Sequence, residues 1–580
     1  MKIIQIIVLL FLFLAGSTQT NAQIISDTYN SIFGDHVLVF DDKMVQAKVQ
    51  ETLDEIHRKQ AGQEFSSQRY ALLFKPGTYQ LDITVDFYVQ ALGLGKSPDQ
   101  TIIDGAVQSV HTSDDNKVTT QFWRGAENFK VVTDTTKKWM YWAVSQAAPM
   151  RRMHVIGDIN FDKSSWASGG VLANSIVTGR AGLTTGQQWF TRNSELGTWE
   201  GGNWNRVFVG VKGAPENNWP EKPVTVVDSA PVIREKPFLT YDDETGYAVF
   251  IPDLRYNSSG VSWKGGNESG REIPIDDFYI AEAGKDNASS INQALDSGKH
   301  LFITPGIYEL SESILAENPN TVIFGLGLPT LVPTNGNTAL VVGDEEGIIV
   351  AGIMVDAGLK ESEVLVQVGK ENSAKDHSEN PISLHDVYCR VGGAIAGTAK
   401  ICLEINANYV IGDHFWLWRA DHGKGADWEV NKSDHGLIVN GDEVTIYGLF
   451  NEHFQHYQTW WKGEKGRVYF YQSEIPYEPP SNEVWNDNGK PGFASYKVAD
   501  HVEEHQAWGL GIYSFFRGEE TRRNNVRLEN AMEVPEKPGI HITHISVYAG
   551  RLGGINHILN GRGPATNEGE LNLFDGWNSH

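Results

Sequence analysis

The chain has 580 residues and a net charge of −25, from 73 acidic against 48 basic residues. This charge repels phosphate backbones and anionic lipid surfaces, so the composition argues against nucleic-acid binding and favours a neutral partner. Cys389 and Cys402 are the only cysteines, which excludes a disulfide scaffold and a multi-cysteine zinc site, and two buried thiols are favoured over one bridge.

The N-terminus has the pattern of a targeting signal. Residues 1–22 contain one lysine, then an apolar run, then small and polar residues, as in a cleaved secretory signal peptide. The apolar run is shorter than the roughly 20 residues of a membrane span, and no later stretch reaches that length. The sequence therefore predicts a secreted or periplasmic protein that has no membrane association after signal cleavage.

One sequence pattern occurs twice along the chain. Residues 71–95 and residues 300–327 each contain Pro-Gly-x-Tyr followed by Gly-Leu-Gly, and the two copies are offset by 229 and 232 residues. Each copy follows a segment with apolar residues at helical spacing, Val45 to Lys59 and Asn287 to Lys299. The pattern indicates one module used twice, with a short helix at the start of each that would cap a solenoid.

Short β-rich runs follow each predicted helix. They recur at intervals of about 20 residues between Gly, Asn and Asp, which is typical of the rungs of a parallel β-helix. We therefore predict an all-β fold of two tandem right-handed parallel β-helix domains, pectin-lyase-like solenoids that lie side by side. The predicted domains are residues 23–255 and 277–580, and a Gly-, Ser- and Asn-rich linker or loop at 256–276 separates them.

Two glutamates in the aromatic segment 447–480 are candidates for acid/base chemistry. Glu452 and Glu474 are 22 residues apart, so they can project from equivalent positions of adjacent rungs. Two carboxyl groups held close in a partly dry groove repel each other's charge, which raises one pKa and retains a proton. Glycosidic cleavage needs that division of roles. The alternative is that each glutamate is an ordinary surface carboxylate.

The chain resembles glycoside hydrolase family 55, in particular its bacterial laminarinase-type members. The resemblance covers nearly all of the mature chain, through many separated matches rather than one motif. Besides the repeated Pro-Gly-x-Tyr and Gly-Leu-Gly units, the matching segments are residues 142–149, 151–155, 168–170, 191–194, 234–238, 412–423 and 452–458.

This resemblance implies exo-acting hydrolysis of β-1,3-glucan with inversion at the anomeric carbon, at a site where the two modules meet. It implies that Glu474 is the general acid. It also implies that Glu452, together with Gln146 and Ser168, positions the attacking water and relays its proton.

A sugar-binding site is predicted beside the two glutamates. Residues 414–422 are dense in groups that stack on sugar rings or bind hydroxyls, with Trp418 as a stacking platform and Asp421 as a hydroxyl acceptor. The alternative for the tryptophans is core packing, because Trp416 and Trp418 share one face of a strand. The predicted substrate-binding set is Trp416, Trp418, Asp421, His422, Tyr477 and Arg192.

Two other functions remain open at this stage. A polysaccharide lyase would need cationic groups, and frequently calcium, against a uronate carboxylate, and no Lys/Arg cluster stands out. A non-catalytic solenoid could bind glycans through the same aromatic groove. The sequence His-Val-Glu-Glu-His at 501–505 lacks the Glu directly after the first His that a zinc protease helix requires. We predict a monomer that uses no metal and no organic cofactor and acts on a β-1,3-glucan polysaccharide or oligosaccharide.

Overall fold

The computed structural model describes residues 31–110, 118–133, 139–266 and 268–578. The predicted signal peptide, residues 1–22, lies outside these residues. Within the described ranges, no helix is long and apolar enough to cross a membrane.

Helices are short and few, and strands dominate the described chain, which confirms the all-β prediction. The helix Gln46–Gln60 buries Val49, Leu53 and Ile56 along one stripe, the spacing of an amphipathic helix. Asn287 caps the second helix by accepting a hydrogen bond from the Ser290 backbone at 3.0 Å. The helices are Gln46–Gln60, Ala288–Asp296 and Glu519–Arg523, with 3-10 turns at Pro98–Gln100 and Ile275–Asp277.

The first module, residues 37–227, contains a nine-stranded parallel sheet that we call the first contact sheet. Its strands pair in parallel with those of the rungs before and after. In chain order they are Val37–Phe40, Tyr70–Phe74, Val89–Gly93, Arg124–Glu127, Met150–Arg151, Val171–Ala173, Gln188–Arg192, Asn205–Val209 and Val224–Val227.

The other face of the first module is an eight-stranded parallel sheet, accompanied by the parallel pair Asp82–Thr84 and Ala106–Gln108. Apolar side chains fill the space between the two sheets as one core. The eight strands are Gly77–Tyr79, Thr101–Asp104, Lys130–Val132, Met140–Tyr141, His154–Ile156, Ile159–Asn160, Ile176–Gly182 and Glu195–Glu200.

The segment between the modules corrects one prediction. The Gly-, Ser- and Asn-rich stretch 256–276 is not a plain linker, because its strands pair with residues before it in two small antiparallel sheets. The composition of this stretch predicted its turns but did not predict the pairing of its strands. The strands of the two sheets are Ala230–Arg234 with Leu254–Ser258, and Phe238–Asp242 with Gly246–Pro252 and Gly270–Pro274.

The second module, residues 278–578, is built on a thirteen-stranded sheet that we call the second contact sheet. It is parallel except for its last strand, which pairs antiparallel. Its strands are Phe278–Ala281, His300–Ile303, Ile307–Leu310, Val322–Gly325, Thr330–Pro333, Ile349–Asp356, Ser383–Val391, Ile411–Arg419, Thr445–Glu452, Gly466–Glu474, Glu504–Phe515, Gly539–Arg551 and Leu571–Asn578.

A ten-stranded sheet forms the other face of the second module, and a short antiparallel pair, Asn486–Asp487 with Lys490–Pro491, lies outside it. Cys389 and Cys402 lie buried in the core between the two sheets as free thiols, as predicted. The ten strands are Ile314–Ala316, Leu340–Val342, Ser362–Val368, Ala399–Ile405, His435–Val439, Thr459–Trp461, Tyr496–Val498, Leu528–Glu533, Gly554–Leu559 and Thr566–Asn567.

The two contact sheets pack face to face, so their strands are buried on both sides. In the strand Tyr70–Phe74, Leu72 and Phe74 point into the first module's core, whereas Ala71 and Leu73 meet Phe324 and its neighbours from the second module. Successive side chains of a strand point to opposite faces. Because both faces are buried here, such strands have nearly continuous apolar sequences.

Charged groups are also buried between the contact sheets, and they are paired. Arg151 donates to Asp386 at 2.8 Å and to Asp413 at 2.7 Å, so one guanidinium of the first module satisfies two carboxylates of the second. Breaking such a pair leaves an uncompensated buried charge. Because all of these ion pairs form together in only one arrangement of the two modules, they favour that arrangement.

We expect Phe324→Ala to lower the free energy of unfolding by about 3–5 kcal/mol, because it leaves a cavity between the contact sheets. Phe324 is buried and stacks on Phe302 at 5.3 Å. Urea-induced unfolding measures the loss. The exposed Leu359→Ala is the control, and its effect should stay within about 0.5 kcal/mol. Equal effects of the two substitutions would contradict this packing.

Candidate active site

The predicted glutamates lie side by side on the second contact sheet. Glu452 and Glu474 are paired residues of adjacent parallel strands, as their spacing of 22 predicted. The same ladder places Trp418 on the strand before Glu452, and Tyr513 and Tyr548 on the two strands after Glu474. Since adjacent strands are about 4.8 Å apart, the five side chains follow one another in a row.

This row borders a cavity of about 460 Å³ where the two modules meet. That volume lies within the usual range for small-ligand pockets. Both modules contribute to it, and most of the predicted site residues line it. The lining residues are Thr119, Thr120, Phe122, Gln146, Trp166, Ser168, Gln187, Trp416, Trp418, Asp421, His422, Glu452, His453, Glu474, Tyr477, Tyr513, Phe515, Tyr548 and Gly550.

Glu452 is held by donors from both modules. Its Oε1 accepts from Gln146 Nε2 at 2.6 Å, and its Oε2 accepts from Trp416 Nε1 at 2.8 Å. Burial raises the pKa of Glu452 well above its usual range, and the nearby charge of Glu474 raises it further. The hydrogen bonds from Trp416 and Gln146 act in the opposite direction because they favour the ionised carboxylate.

Glu474 is also buried, and Tyr477 contacts it directly. The Tyr477 hydroxyl donates to Glu474 Oε2, and Gln472 Nε2 donates to Oε1 at 3.2 Å. Burial raises the pKa of Glu474 to about 7, although the hydrogen bond from Tyr477 opposes the increase. Two adjacent carboxyl groups with raised pKa values retain a proton between them near neutral pH. The site therefore holds both an acid and a potential base.

Asp421 and His422 line the cavity and form an ion pair that reaches Glu64 of the first module. His422 Nδ1 contacts Asp421 Oδ1 at 2.8 Å, and Nε2 contacts Glu64 Oε1 at 2.6 Å. Burial alone would lower the pKa of His422, but the hydrogen bonds to the two carboxylates outweigh it and raise the pKa to about 10. The imidazolium and Arg517 in turn keep the pKa of Asp421 below its usual range despite burial, so Asp421 stays an acceptor.

The two predicted sugar-binding tryptophans are more buried than a free platform would be. Trp416 and Trp418 stack on each other at 5.1 Å and are each 1% exposed. Phe122 and Trp123 of the first module cover Trp416, whose indole N–H is used by Glu452. Trp416 therefore supports the carboxylate, and little of either ring is exposed to the cavity.

Gln146 and Ser168 enter the cavity from the first module. Ser145 holds the loop of Ser168, because the Ser168 backbone N–H donates to Ser145 Oγ at 3.1 Å. Both side chains line the cavity with Glu452 and Glu474. The residues that the family resemblance assigns to the attacking water thus come together from distant parts of the chain.

Arg192 is the exception among the predicted site residues. It is fully buried between the contact sheets, where Glu235 binds it at 2.8 Å and Asp413 at 3.0 Å. It does not belong to the residues that line the cavity. Its match to a family motif reflects the contact between the modules, so the prediction that Arg192 binds substrate is wrong.

Sequence reasoning missed several residues of the cavity, including Trp166, His453, Tyr513 and Tyr548. His453 was the most accessible to prediction, because it follows Glu452 directly. Its Nδ1 lies 3.2 Å from the carbonyl of Ile475. Tyr513 and Tyr548 lie 39 and 35 residues beyond their ladder partners, too far for a search at about 20-residue spacing to connect them. In the described part of the chain, no group of three or more His, Cys, Asp or Glu side chains could hold a metal ion.

A cavity lined by aromatic rings on a mostly parallel β fold, with two adjacent buried carboxyl groups, is the arrangement of a glycoside hydrolase. A family model described as the LAM55 pectate lyase-like domain matches residues 278–474. The chain is also 44% identical, over 541 residues, to an exo-beta-1,3-glucanase of Streptomyces sp. (strain SirexAA-E / ActE). That match covers 92% of this chain and 87% of the relative.

Solved structures agree with the sequence matches. The structure of sacteLam55A from Streptomyces sp. SirexAA-E is 42% identical, with a TM-score of 0.91, and the match covers 94% of this chain and 99% of that one. A variant of sacteLam55A in complex with glucose is 41% identical, with a TM-score of 0.90 and the same coverage. The chain is an enzyme that belongs to glycoside hydrolase family 55.

We expect Glu64→Gln to lower the pKa of His422 from about 10 towards 6.5, because one of its two carboxylate partners loses its charge. The pKa of His422 is raised in the folded state, so its contribution to stability is complete below pH 6.5 and is lost as the pH rises through about 10. A titration of the His422 ring by NMR measures the shift directly.

The exposed helix residue Glu51 provides the matched control, as Glu51→Gln removes the same charge away from His422. If Glu64→Gln and Glu51→Gln leave the His422 titration equally unchanged, the ion pair across the modules does not exist as described.

Proposed function

We propose that this enzyme hydrolyses β-1,3-glucan from the chain end with inversion, and that it releases glucose or short products. The observation that carries the proposal is the in-register pair Glu452 and Glu474, whose pKa values are both raised, in a cavity shared by the two modules. The names of the relatives support the substrate: one is an exo-beta-1,3-glucanase, and a variant of sacteLam55A binds glucose.

In this proposal Glu474 is the general acid. It donates its proton to the glycosidic oxygen while the bond from that oxygen to the anomeric carbon breaks. A water molecule attacks the anomeric carbon from the opposite face and forms the new C–O bond. Glu452 accepts the proton of that water, and Gln146 and Ser168 hold the water in place. Inversion follows because the water enters opposite to the leaving group.

Burial raises both pKa values, so the roles are assigned by the donors at Glu452 and by the resemblance to the family. Trp416 and Gln146 donate to Glu452 and so favour its charged form, the form that a base needs. Glu474 keeps its proton because burial disfavours the carboxylate. Asp421, held ionised by His422, is an acceptor for sugar hydroxyls, and the His422 ring lies 5.3 Å from the ring of Trp418.

We further infer that both modules are right-handed β-helical coils and that the enzyme is a monomer. The N-terminal segment would direct it out of the cytoplasm, and laminarin-like glucan would be its substrate there. The chemistry described above uses only side chains and water, so the proposal includes no metal or organic cofactor.

Glu474→Gln should lower the rate of sugar release from laminarin by about 10²–10⁴-fold, because the amide has no proton to donate to the leaving oxygen. Reducing-sugar assays measure the rate, and NMR of the initial product identifies the anomer, which should be α-glucose for the wild type. Glu483→Gln makes the same chemical change at an exposed position and should leave the rate unchanged.

Three results would overturn the proposal. If Glu474→Gln is folded and as active as Glu483→Gln, Glu474 is not the general acid. If the first product is β-glucose, the reaction retains configuration, and an unsaturated product that absorbs in the ultraviolet would identify a lyase.

The pH profile tests the electrostatic part of the proposal. Activity should fall as the pH rises through the pKa of Glu474, about 7, because the acid loses its proton. Tyr477→Phe removes the hydrogen bond that opposes the raised pKa, so the alkaline limb of kcat/KM should move to higher pH. If the alkaline limb is unchanged in Tyr477→Phe, the ionisation of Glu474 does not cause that limb.

A further inference from the structure

Two neighbouring turns of the first module border the cavity. Residues 161–168, which we call the serine turn, end at Ser168, and residues 183–187, which we call the adjacent turn, end at Gln187. The strands that precede the two turns pair in parallel, so one turn lies directly beside the other. Ser168 is thus placed by a turn, and its position depends on what fixes that turn.

The serine turn has an uncommon backbone conformation. Lys163 and Ser164 have φ angles of +48° and +58°, in the left-handed region that residues with a Cβ rarely adopt. Such a conformation persists only where surrounding contacts hold it. Two side chains supply these contacts: Asn160 Oδ1 accepts from the Lys163 N–H at 2.5 Å, and Asp162 Oδ1 accepts from the Ser164 N–H at 3.0 Å.

Asp162 also binds the adjacent turn. Its Oδ2 accepts hydrogen bonds from three consecutive backbone N–H groups, those of Thr184 at 2.6 Å, Thr185 at 2.8 Å and Gly186 at 2.7 Å. Asp162 is fully buried, and a buried carboxylate is costly unless hydrogen bonds satisfy it. The N–H groups of both turns meet that need, so one side chain fixes the two turns to each other.

Two further hydrogen bonds extend this link towards Ser168. The Thr185 hydroxyl donates to the carbonyl of Ser165 at 2.8 Å. The backbone N–H of Gln187 donates to the carbonyl of Ala167, directly before Ser168, at 2.9 Å. The end of the serine turn is therefore fastened to the adjacent turn as well as its beginning.

We propose that Asp162 is a positioning residue for the attacking water and that it acts through Ser168. Asp162 does not belong to the residues that line the cavity, so it does not contact a sugar bound there. It fixes the serine turn and thereby the hydroxyl of Ser168, which holds the water in the proposed function. The inference rests on that function and deepens it. A misplacement of about 1 Å in a reacting geometry can lower a rate about 10²-fold.

The variant Asp162→Asn keeps the size of the side chain but replaces one acceptor oxygen by an NH2 group. That group would face either the Ser164 N–H or the three N–H groups of the adjacent turn, all of which are donors. We expect kcat for laminaritriose to fall about tenfold and KM to change less than about twofold. Steady-state kinetics measure both.

A double-mutant cycle separates positioning from a general structural role. If Asp162 acts through Ser168, Asp162→Asn should lower kcat by less than about twofold once Ser168→Ala has removed the hydroxyl. A structural role would lower kcat by the same factor in both backgrounds. Asp344→Asn is the matched control and should leave kcat unchanged, because Asp344 is a buried aspartate that binds Ser373 and His377 outside the cavity lining.

Thr185→Val is a second variant that perturbs the fold less, because it removes only the hydrogen bond to Ser165. It should lower kcat in the same direction and lose this effect in the Ser168→Ala background. Circular dichroism shows whether each variant is folded.

Three results would overturn the inference: an unchanged kcat in folded Asp162→Asn, a loss that appears only in KM, or equal factors for either variant with and without the Ser168 hydroxyl. If wild type does not hydrolyse laminaritriose at all, the proposed function is itself wrong, and the role of Asp162 is wrong with it.

Discussion

The structure depends on the face-to-face burial of two parallel sheets. Each contact sheet has one face in its own core and one face against the other sheet, so most residues of both are buried and their charged side chains are paired. The active site lies at this contact, where Glu452 of one module is bound by Gln146 of the other. Because both modules exclude water from the site, burial raises the pKa values of two glutamates that would be ordinary carboxylates on a single exposed sheet.

Parallel pairing in register gives the site its internal order. A residue on one strand of a parallel sheet has its paired residue about 4.8 Å away on the next strand, and the side chains of paired residues point to the same face. Trp418, Glu452, Glu474 and Tyr513 therefore lie in one line, which places the base of the proposed reaction directly beside its acid. The strand on which each residue lies thus sets the order of the side chains along the cavity. Strands hold these side chains more rigidly than loops would.

The sequence was most informative where the repeat was regular. Glu452 and Glu474 are separated by one short rung, so the spacing of 22 predicted their pairing. The helical spacing of apolar residues before each copy of the repeat predicted both opening helices. Tyr513 was missed because residues 475–503 form a long excursion between two paired strands. Arg192 was misassigned because a motif identifies a residue as characteristic of a family without showing whether its side chain points to substrate or to the other module. The antiparallel pairing around 230–274 depends on long-range contacts that composition does not encode.

The central claim is that one cavity between two modules holds the scissile bond between Glu474 and the water bound at Glu452. A crystal structure of the Glu474→Gln variant with laminaritriose tests this most directly. The account predicts that the glycosidic oxygen of the terminal unit lies within hydrogen-bond distance of the residue 474 amide, and that the terminal sugar lies on the side of Glu452. A trisaccharide bound outside this cavity, or bound with its terminal sugar over Tyr548, would contradict it.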